Sequence, residues 1–321
     1  MAVLTDRILV VNAGSTSLKL SIVDAEDVSH PIAMLSDSGD VTGVGHRIVH
    51  GGLRFVEPTL LDDDVVAALD ELRELAPLHN PPAVDAIRRA QQALPHVPHV
   101  AVFDTAFHRT IPPVAATYLL PERYRALGIQ RFGFHGLSVA WVAEQVPVER
   151  LVVCHLGGGC SVTAVRDGRS VDTTMGFTPL EGVPMATRPG PVDPGALLYL
   201  LRHGVTSAEL EEALEHESGL LALGRTGDVA TLIASSDEGA QLALEILAYR
   251  VAQAVAAMAT SLDGLDALAF TGGVGENAEP VRVAVCERLR FLGVGAHVPI
   301  HVIAAREDAV VARAVRAAIS R

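Results

Sequence analysis

The sequence predicts an α/β protein built from two copies of one unit. Two stretches, ILVVNAGSTSLKLSIVD (8–24) and LVVCHLGGGCSVTAV (151–165), each place two apolar runs around a bend rich in Gly and Ser. This pattern is typical of a β-hairpin. After each hairpin, strand patterns alternate with helical patterns, as expected of a duplicated α/β fold.

Length and composition agree with this interpretation. The chain has 321 residues, which corresponds to about two domains. We place the boundary near Glu149, giving domains 1–149 and 150–321, with the C-terminal segment able to pack back on the first domain. An apolar content of 49% supplies ample core. The net charge of −13 argues against a nucleic-acid partner.

The cysteines and the apolar segments bear on location. Cys154, Cys160 and Cys286 form no C-x-x-C pair, which favours free thiols in a reducing cytosol. The first residues do not resemble a signal peptide. The apolar segment 251–262 is too short and too polar for a bilayer span. We therefore expect a cytoplasmic protein with no membrane partner.

The elements of the first half follow from local patterns. After the opening hairpin, VGHRIVHGG predicts a strand and a loop. DDDVVAALDELRELA and PPAVDAIRRAQQALP predict two helices, the second with Pro at its start. HVAVFDTAF (99–107) predicts a buried strand ending at an Asp, and a short helix follows RFGFHG (131–136).

The second half continues in the same way. The Gly- and Pro-rich stretch 172–195 predicts a long loop, and loops of that length are usually functional. LDALAFTGG (265–273) predicts a strand that runs into a glycine turn. The remaining periodic segments predict helices over 207–217, 239–262, 278–292 and 309–319.

Both hairpin bends have the composition of an anion site. A bend containing Gly presents successive backbone N–H groups that can surround a phosphate, and Thr16 with its neighbours adds hydroxyls to the first bend. Ordinary hairpin turns are also rich in Gly and Ser, so the phosphate interpretation rests on the repetition. A third glycine site, FTGGVGENA (270–278), follows a strand and precedes a helix, where a nucleotide can bind.

A few charged residues lie in unusual contexts. Arg47 and Arg188 lie among Gly, His or Pro outside any helical pattern, and Arg suits bidentate binding of carboxylate or phosphate. Surface salt bridges remain the alternative. Asp104 ends an apolar strand, where α/β sites often lie; a turn or cap role remains open. Three histidines lie in loops or at strand ends: His79, His135 and His155.

Taken together, the motifs resemble those of the acetate kinases, members of the sugar kinase and actin superfamily. The similar blocks occur in the family's order and cover most of the chain. They are NAGSTSLK, GHRIVHGG, FDTAFH, RFGFHG, CHLGGGCSVTAV, DTTMGFTPLEG with TRPG, and FTGGVGEN.

This resemblance implies a fold and a reaction. The fold would be two actin-like (ribonuclease H-like) domains with the active site in the cleft that separates them. The reaction would be ATP + acetate ⇌ ADP + acetyl phosphate, with Mg²⁺ or Mn²⁺. The partners would be a small carboxylic acid and a nucleotide, and the assembly a homodimer.

Residue roles follow from the resemblance position by position. Arg47 and Arg188 would hold the carboxylate and the transferred phosphoryl group, His135 would stabilise that group, and Asp104 would be the essential acid near the metal. His79 would support them. The first phosphate loop would comprise Asn12, Ser15, Ser17 and Lys19. The second phosphate loop would comprise His155, Gly157 and Gly159. The rest of the nucleotide site would comprise Asp228, Gly273, Gly275 and Asn277. Asn12 and Glu307 would lie at the metal.

The resemblance also implies an acyl pocket of Val49, Leu78, Phe134 and Pro179. Val at position 49 leaves less room than Ala, which favours acetate over propionate, although one methylene is worth only about 1–3 kcal/mol.

The chain departs from the family mainly on the nucleotide side. Gly158 stands where relatives have Asn, and the arginine that follows Asp228 in relatives is absent. The segment that joins Lys19 to Arg47 is also shorter than in relatives. These departures leave open another donor such as pyrophosphate, a propionate or butyrate kinase, and a non-catalytic nucleotide-binding protein.

Overall fold

The computed structural model describes residues 6–13, 18–75 and 80–320. These residues form two sheets flanked by helices. In chain order, strands β1 to β11 are Ile8–Ala13, Leu18–Val23, Ser29–Ile32, Gly43–Ile48, Thr59–Leu60, His99–Phe103, Arg150–Leu156, Cys160–Arg166, Arg169–Thr173, Ala267–Thr271 and Ile300–Val302.

The two sheets repeat one topology. The first has the order β3-β2-β1-β4-β6-β5 and the second the order β11-β10-β7-β8-β9. In each, an antiparallel hairpin (β1–β2 or β7–β8) continues into a third antiparallel strand (β3 or β9). The hairpin's first strand also pairs in parallel with a later strand (β4 or β10). Both predicted hairpins and the duplication are confirmed.

The helices include short connecting turns as well as long packing elements. In chain order, α1 to α13 are Asp63–Glu71, Asn80–Ala93, Pro113–Ala116, Glu122–Arg125, Gly136–Gln145, Pro194–Arg202, Ser207–Glu212, Gly219–Gly224, Val229–Ala234, Glu238–Leu262, Gly272–Asn277, Glu279–Arg288 and Glu307–Ile319.

Side-chain caps explain where several helices begin. Asp62 accepts a hydrogen bond from Val65 N at 2.8 Å at the start of α1. Thr206 and Glu209 form a reciprocal capping box at α7. Each cap satisfies a backbone N–H that has no partner within its helix.

Some elements differ from the sequence prediction at their ends. Strand β6 stops at Phe103, and 104–110 form a 3-10 helix, so Asp104 begins a turn at the end of the strand. The predicted glycine turn after β10 is helical, as α11. The predicted helix 278–292 ends at Arg288 and continues as a 3-10 turn.

Helix α10 corrects one prediction. It has 25 residues, so its length and composition alone would allow it to cross a membrane. The expectation that this segment is too short and too polar is wrong. In the described part of the chain it is the only such helix. One such helix is weak evidence for a membrane span, because the core helix of a soluble protein passes the same test. Here α10 packs along β7 and β8.

Alternation along β1 gives the first sheet two apolar faces. Leu9 and Val11 lie in a core cluster with side chains of α1 and α2. Ile8 and Val10 lie in a second cluster, with Val311 and other residues of α13. Gly45 permits the close approach of α13, because a Cβ there would lie 2.5 Å from Val311 Cγ1.

Within the described residues the chain divides into two compact units. The first contains 6–109, 134–141 and 306–320, and the second contains 110–133 and 142–305. The units are therefore discontinuous in sequence. The division at residue 149, drawn for a duplicated fold, stays a prediction.

Candidate active site

Arg47 is the centre of a cluster of polar side chains in the first unit. It lies on β4, directly beside Asn12 of β1 in the parallel pairing of the two strands. Its guanidinium holds Asp104 through two hydrogen bonds, Nε to Oδ1 at 3.1 Å and Nη2 to Oδ2 at 2.6 Å. This is the bidentate geometry that only Arg provides.

The third guanidinium nitrogen reaches two more oxygens. Arg47 Nη1 donates to Asn12 Oδ1 at 3.2 Å and lies 3.3 Å from Glu307 Oε2. Glu307 is the first residue of α13, so helix, strand and turn meet at one side chain. Four of the predicted site residues are therefore in direct contact.

Burial sets the electrostatics of this cluster. The Asp104 side chain is 1% exposed, and those of Arg47 and Glu307 are each 16% exposed. Burial raises the pKa of Asp104 to about 6, against the opposing effect of Arg47, and Glu307 adds to the rise. Burial alone would lower the pKa of Arg47, but Asp104 and Glu307 outweigh it and raise that pKa.

His135 lies beside this cluster, on the segment that leads into α5. Gly136 packs so closely that a Cβ there would lie 2.0 Å from the Asp104 carbonyl oxygen. His135 itself has a φ of 58°, in the left-handed region that a residue with a Cβ rarely occupies. Phe134, predicted for the acyl pocket, is buried with 2% exposed.

The remaining predicted residues of the first unit divide into two groups. Lys19 is exposed on β2, directly opposite Asn12 in the antiparallel register, so both side chains share a sheet face with Arg47. Val49 is buried just after β4. Four others lie outside the described residues: Ser15, Ser17, Leu78 and His79.

The second unit contains the other glycine bend. Gly157 N donates to Gly159 O at 3.0 Å and closes the turn that joins β7 to β8. His155 is on β7 before this turn, and its Nε2 would lie 3.2 Å from a Cβ on Gly272. At Gly158 a Cβ would meet no atom within 4 Å, so this position is open.

A cavity of about 420 Å³ adjoins the glycine bend. It contains four residues predicted for the nucleotide site and is otherwise lined by small and apolar side chains. The predicted residues are Gly157, Asp228, Gly273 and Asn277. The volume is in the range of small-molecule sites. Gly275, also predicted, lies in α11 close to Phe270 and Cys154 O.

Asp228 and Asn277, the two polar side chains predicted for the nucleotide site that line this cavity, make local hydrogen bonds. Asp228 caps α9, accepting from Thr231 N at 3.0 Å. Asn277 Nδ2 donates to Gly273 O at 2.9 Å.

Arg188 lies in the long loop before α6, which has no regular structure from Thr174 to Asp193. Its Nε donates to Glu215 Oε2 at 2.8 Å. Gly219, with a φ of 65°, touches the same loop: a Cβ there would lie 2.7 Å from Arg188 O. Pro179, predicted for the acyl pocket, is buried in this loop.

Sequence reasoning missed Glu215 as the partner of Arg188. The stretch SAELEEALEHE contains five acidic residues, and nothing in their spacing distinguishes Glu215. The cysteines behave as predicted, since Cys154, Cys160 and Cys286 are free. Burial raises the pKa of Cys160 to about 11.

Comparison with known proteins reveals extensive similarity. The acetokinase family profile matches residues 31–317. The chain is 47% identical over 274 residues to an acetate kinase of Synechococcus sp., covering 82% of this chain and 68% of the relative. It is 46% identical over 302 residues to an acetate kinase of Deinococcus deserti, covering 89% and 74%.

Solved structures agree. A propionate kinase from Francisella tularensis superposes with a TM-score of 0.91 at 34% identity, covering 97% of this chain and 99% of that one. An acetate kinase from Porphyromonas gingivalis gives 0.85 at 28%, covering 98% and 100%. These likenesses confirm the actin-like fold class. With the family profile spanning most of its length, the chain belongs to the acetokinase family of carboxyl-group phosphotransferases.

Proposed function

We propose that the chain is an acetate kinase, which transfers a phosphoryl group reversibly from ATP to acetate to give ADP and acetyl phosphate. The observation that carries the proposal is the contact of Arg47 with Asp104, Asn12 and Glu307. It presents a buried, oriented guanidinium beside oxygen ligands, which is a usual arrangement for handling phosphoryl groups.

The chemistry requires charge compensation more than proton transfer. A small carboxylic acid has a pKa near that of Asp or Glu, about 4, and is ionised at neutral pH. No general base is needed. The obstacle is repulsion of two anions, which positive groups and precise positioning reduce.

The roles of the residues follow from their surroundings. Asp104 fixes the plane of the Arg47 guanidinium, which binds the acetate carboxylate and the transferred group. His135 donates a hydrogen bond to that group, and Arg188, oriented by Glu215, neutralises its charge. Val49 and Phe134 form apolar walls for the methyl group. The glycine bend at Gly157–Gly159 and the adjoining cavity take the nucleotide.

The donor set also fits a magnesium ion. Mg²⁺ prefers oxygen ligands and is usually held by one or two carboxylates together with substrate phosphates. Asp104 and Glu307 supply carboxylates, and Asn12 supplies an amide oxygen. Among the described residues no group of three or more His, Cys, Asp or Glu has the arrangement of a complete metal site. When bound, Mg²⁺ would neutralise phosphate charge.

A hydroxamate assay tests the proposal. The chain incubated with acetate, ATP, Mg²⁺ and hydroxylamine should form acetyl hydroxamate. Arg188→Ala should abolish the product with little change in the circular dichroism spectrum, because it removes a positive charge at the reaction centre. Arg88→Ala, at an exposed salt bridge, is the matched control and should retain activity. No product from any short-chain acid would refute the proposal.

The same assay distinguishes two alternatives, a different carboxylic acid and a different phosphoryl donor. The similarity to a propionate kinase structure favours comparing kcat/KM for acetate, propionate and butyrate. Gly158, where relatives have Asn, favours testing pyrophosphate beside ATP. ATP binding by calorimetry without turnover would instead indicate a non-catalytic nucleotide-binding protein.

The assembly proposed is a homodimer in the cytoplasm. Helix α6 supports the dimer, because it is apolar in sequence yet has no buried residue. Leu198 and Tyr199 are 54% and 55% exposed, and Leu200 and Leu201 are each 40% exposed. Exposed apolar side chains concentrated on one helix in this way often mark an interface.

A further inference from the structure

His135 is held in a conformation that its own side chain disfavours. Its φ of 58° is left-handed, a region in which the Cβ of an L-residue crowds the backbone. Such a residue persists only where its surroundings fix it, and it often lies at a functional site. The residues around His135 show what fixes it.

The peptide groups on both sides of His135 are restrained. His108 Nε2 lies 2.9 Å from the Phe134 carbonyl oxygen, and both residues are buried, with 3% and 2% exposed. On the other side, Gly136 fits against the Asp104 carbonyl, where a Cβ would lie 2.0 Å away. The His135 carbonyl accepts from Val139 N at 2.9 Å and begins α5.

From these contacts we propose that His108 is a positioning residue, which holds the Phe134–His135 peptide so that His135 keeps its left-handed backbone conformation and its imidazole keeps one orientation. The functional part of this inference rests on the proposed function. His108 need not touch substrate, since it acts through the backbone.

The hydrogen bond has a defined direction. A carbonyl oxygen only accepts, so Nε2 of His108 carries the proton and donates. Burial lowers the pKa of His108 to about 4, so the ring is neutral near pH 7 and the bond does not depend on its protonation. Removing the His108 donor would take this hydrogen bond from the buried Phe134 carbonyl oxygen. The Phe134–His135 peptide could then relax.

Substitutions at position 108 test the proposal. His108→Leu removes the donor, while His108→Gln places an amide N–H where Nε2 was. His99→Leu is the matched control: His99 is buried in the same unit, and its Nε2 lies 3.0 Å from the Leu94 carbonyl. For each variant we would measure kcat, KM for acetate and melting temperature, and determine the φ of residue 135 by crystallography.

The expected result separates catalysis from stability. In His108→Leu, φ at 135 should leave the left-handed region and kcat should fall about 10²-fold. KM for acetate should change less than about threefold, because in the proposed function Arg47, on strand β4, binds the carboxylate. His108→Gln should restore most of kcat. His99→Leu should lower the melting temperature without that loss of kcat.

Three outcomes would overturn the inference: a left-handed residue 135 with normal kcat in His108→Leu, no rescue by His108→Gln, or an equal kcat loss in His99→Leu. If the unaltered chain lacks kinase activity, the proposed function fails. The φ measurement then decides by itself whether His108 holds His135.

Discussion

At the scale of single residues, the Arg47–Asp104 pair shows why a positive charge at position 47 would not by itself reproduce these contacts. Both oxygens of Asp104 accept from one planar guanidinium, and its remaining nitrogen contacts Asn12 and Glu307. A lysine at position 47 would keep the charge but lose the fork that sets these directions. Because both carboxylate oxygens act as acceptors, this two-bond pairing depends on Asp104 being ionised.

The pH dependence of activity should report on Asp104. Burial raises the pKa of this carboxyl to about 6, and protonation would remove its ion pair with Arg47. We expect kcat/KM, corrected for the ionised fraction of acetate, to fall about tenfold per unit as the pH decreases below about 6. A pH–rate profile measures it. A flat profile down to pH 5 would contradict the assignment.

Stability should move in the opposite direction. The pKa of Asp104 in the folded chain, about 6, lies above its ordinary value of 3.8, so the folded chain binds a proton more tightly than the unfolded chain. The contribution of this group to the unfolding free energy therefore falls as the pH rises from about 4 to about 6, then stays constant. Asp104→Asn should lack this slope in urea titrations at each pH.

At the scale of elements, arginines of α13 and the residue before it bind the turn that contains Asp27. Asp27, in the turn that joins β2 to β3, accepts from Arg313 Nε at 2.6 Å and Arg316 Nη1 at 2.9 Å. Its backbone carbonyl accepts from Arg306. The guanidinium carbons of Arg306 and Arg313 lie 5.7 and 5.3 Å from the Trp141 ring centroid. The turn is therefore tied to α13, the helix whose first residue is Glu307.

Asp27→Ala should loosen this helix. The change leaves two arginine side chains without their shared carboxylate, and we expect a loss of about 1–3 kcal/mol in unfolding free energy. Amide exchange in α13 should become faster. Asp70→Ala is the matched control, because Asp70 also pairs with two arginines, Arg73 and Arg88, at an exposed surface, where such pairs are worth less than about 1 kcal/mol.

Equal losses from the two Asp variants in denaturant unfolding would show that the Asp27 network gives α13 no special support. Unchanged amide exchange at 307–319 in Asp27→Ala would lead to the same conclusion.

At the scale of the whole molecule, the exposed face of α6 leads to a prediction about assembly. Light scattering should give the mass of a dimer. Leu198→Glu combined with Leu201→Glu places charge on that face and should give a monomer with little change in melting temperature, because neither side chain is buried in the chain. Leu119→Glu, at a fully exposed leucine outside α6, is the comparison. A monomeric unaltered chain would refute this interface.

The sequence was most informative where chemistry and chain order coincide. Apolar runs bounded by Gly and Ser predicted both hairpins. The Gly and His neighbours of Arg47 marked that residue, and the end of an apolar strand marked Asp104. The resemblance to a family supplied Glu307, which no local pattern marks. The roles of His108, Asp27 and Glu215 were not predictable, because each depends on a contact between segments distant in sequence, which only the folded chain brings together.

The open position at Gly158 allows a side chain to be introduced into the second glycine bend. Because a Cβ there would meet nothing within 4 Å, a side chain can begin at residue 158, on the lining of the cavity proposed for the nucleotide, without displacing the loop. Gly158→Asn therefore tests whether an amide at this one position changes the competition between ATP and pyrophosphate, with the fold of the bend left intact.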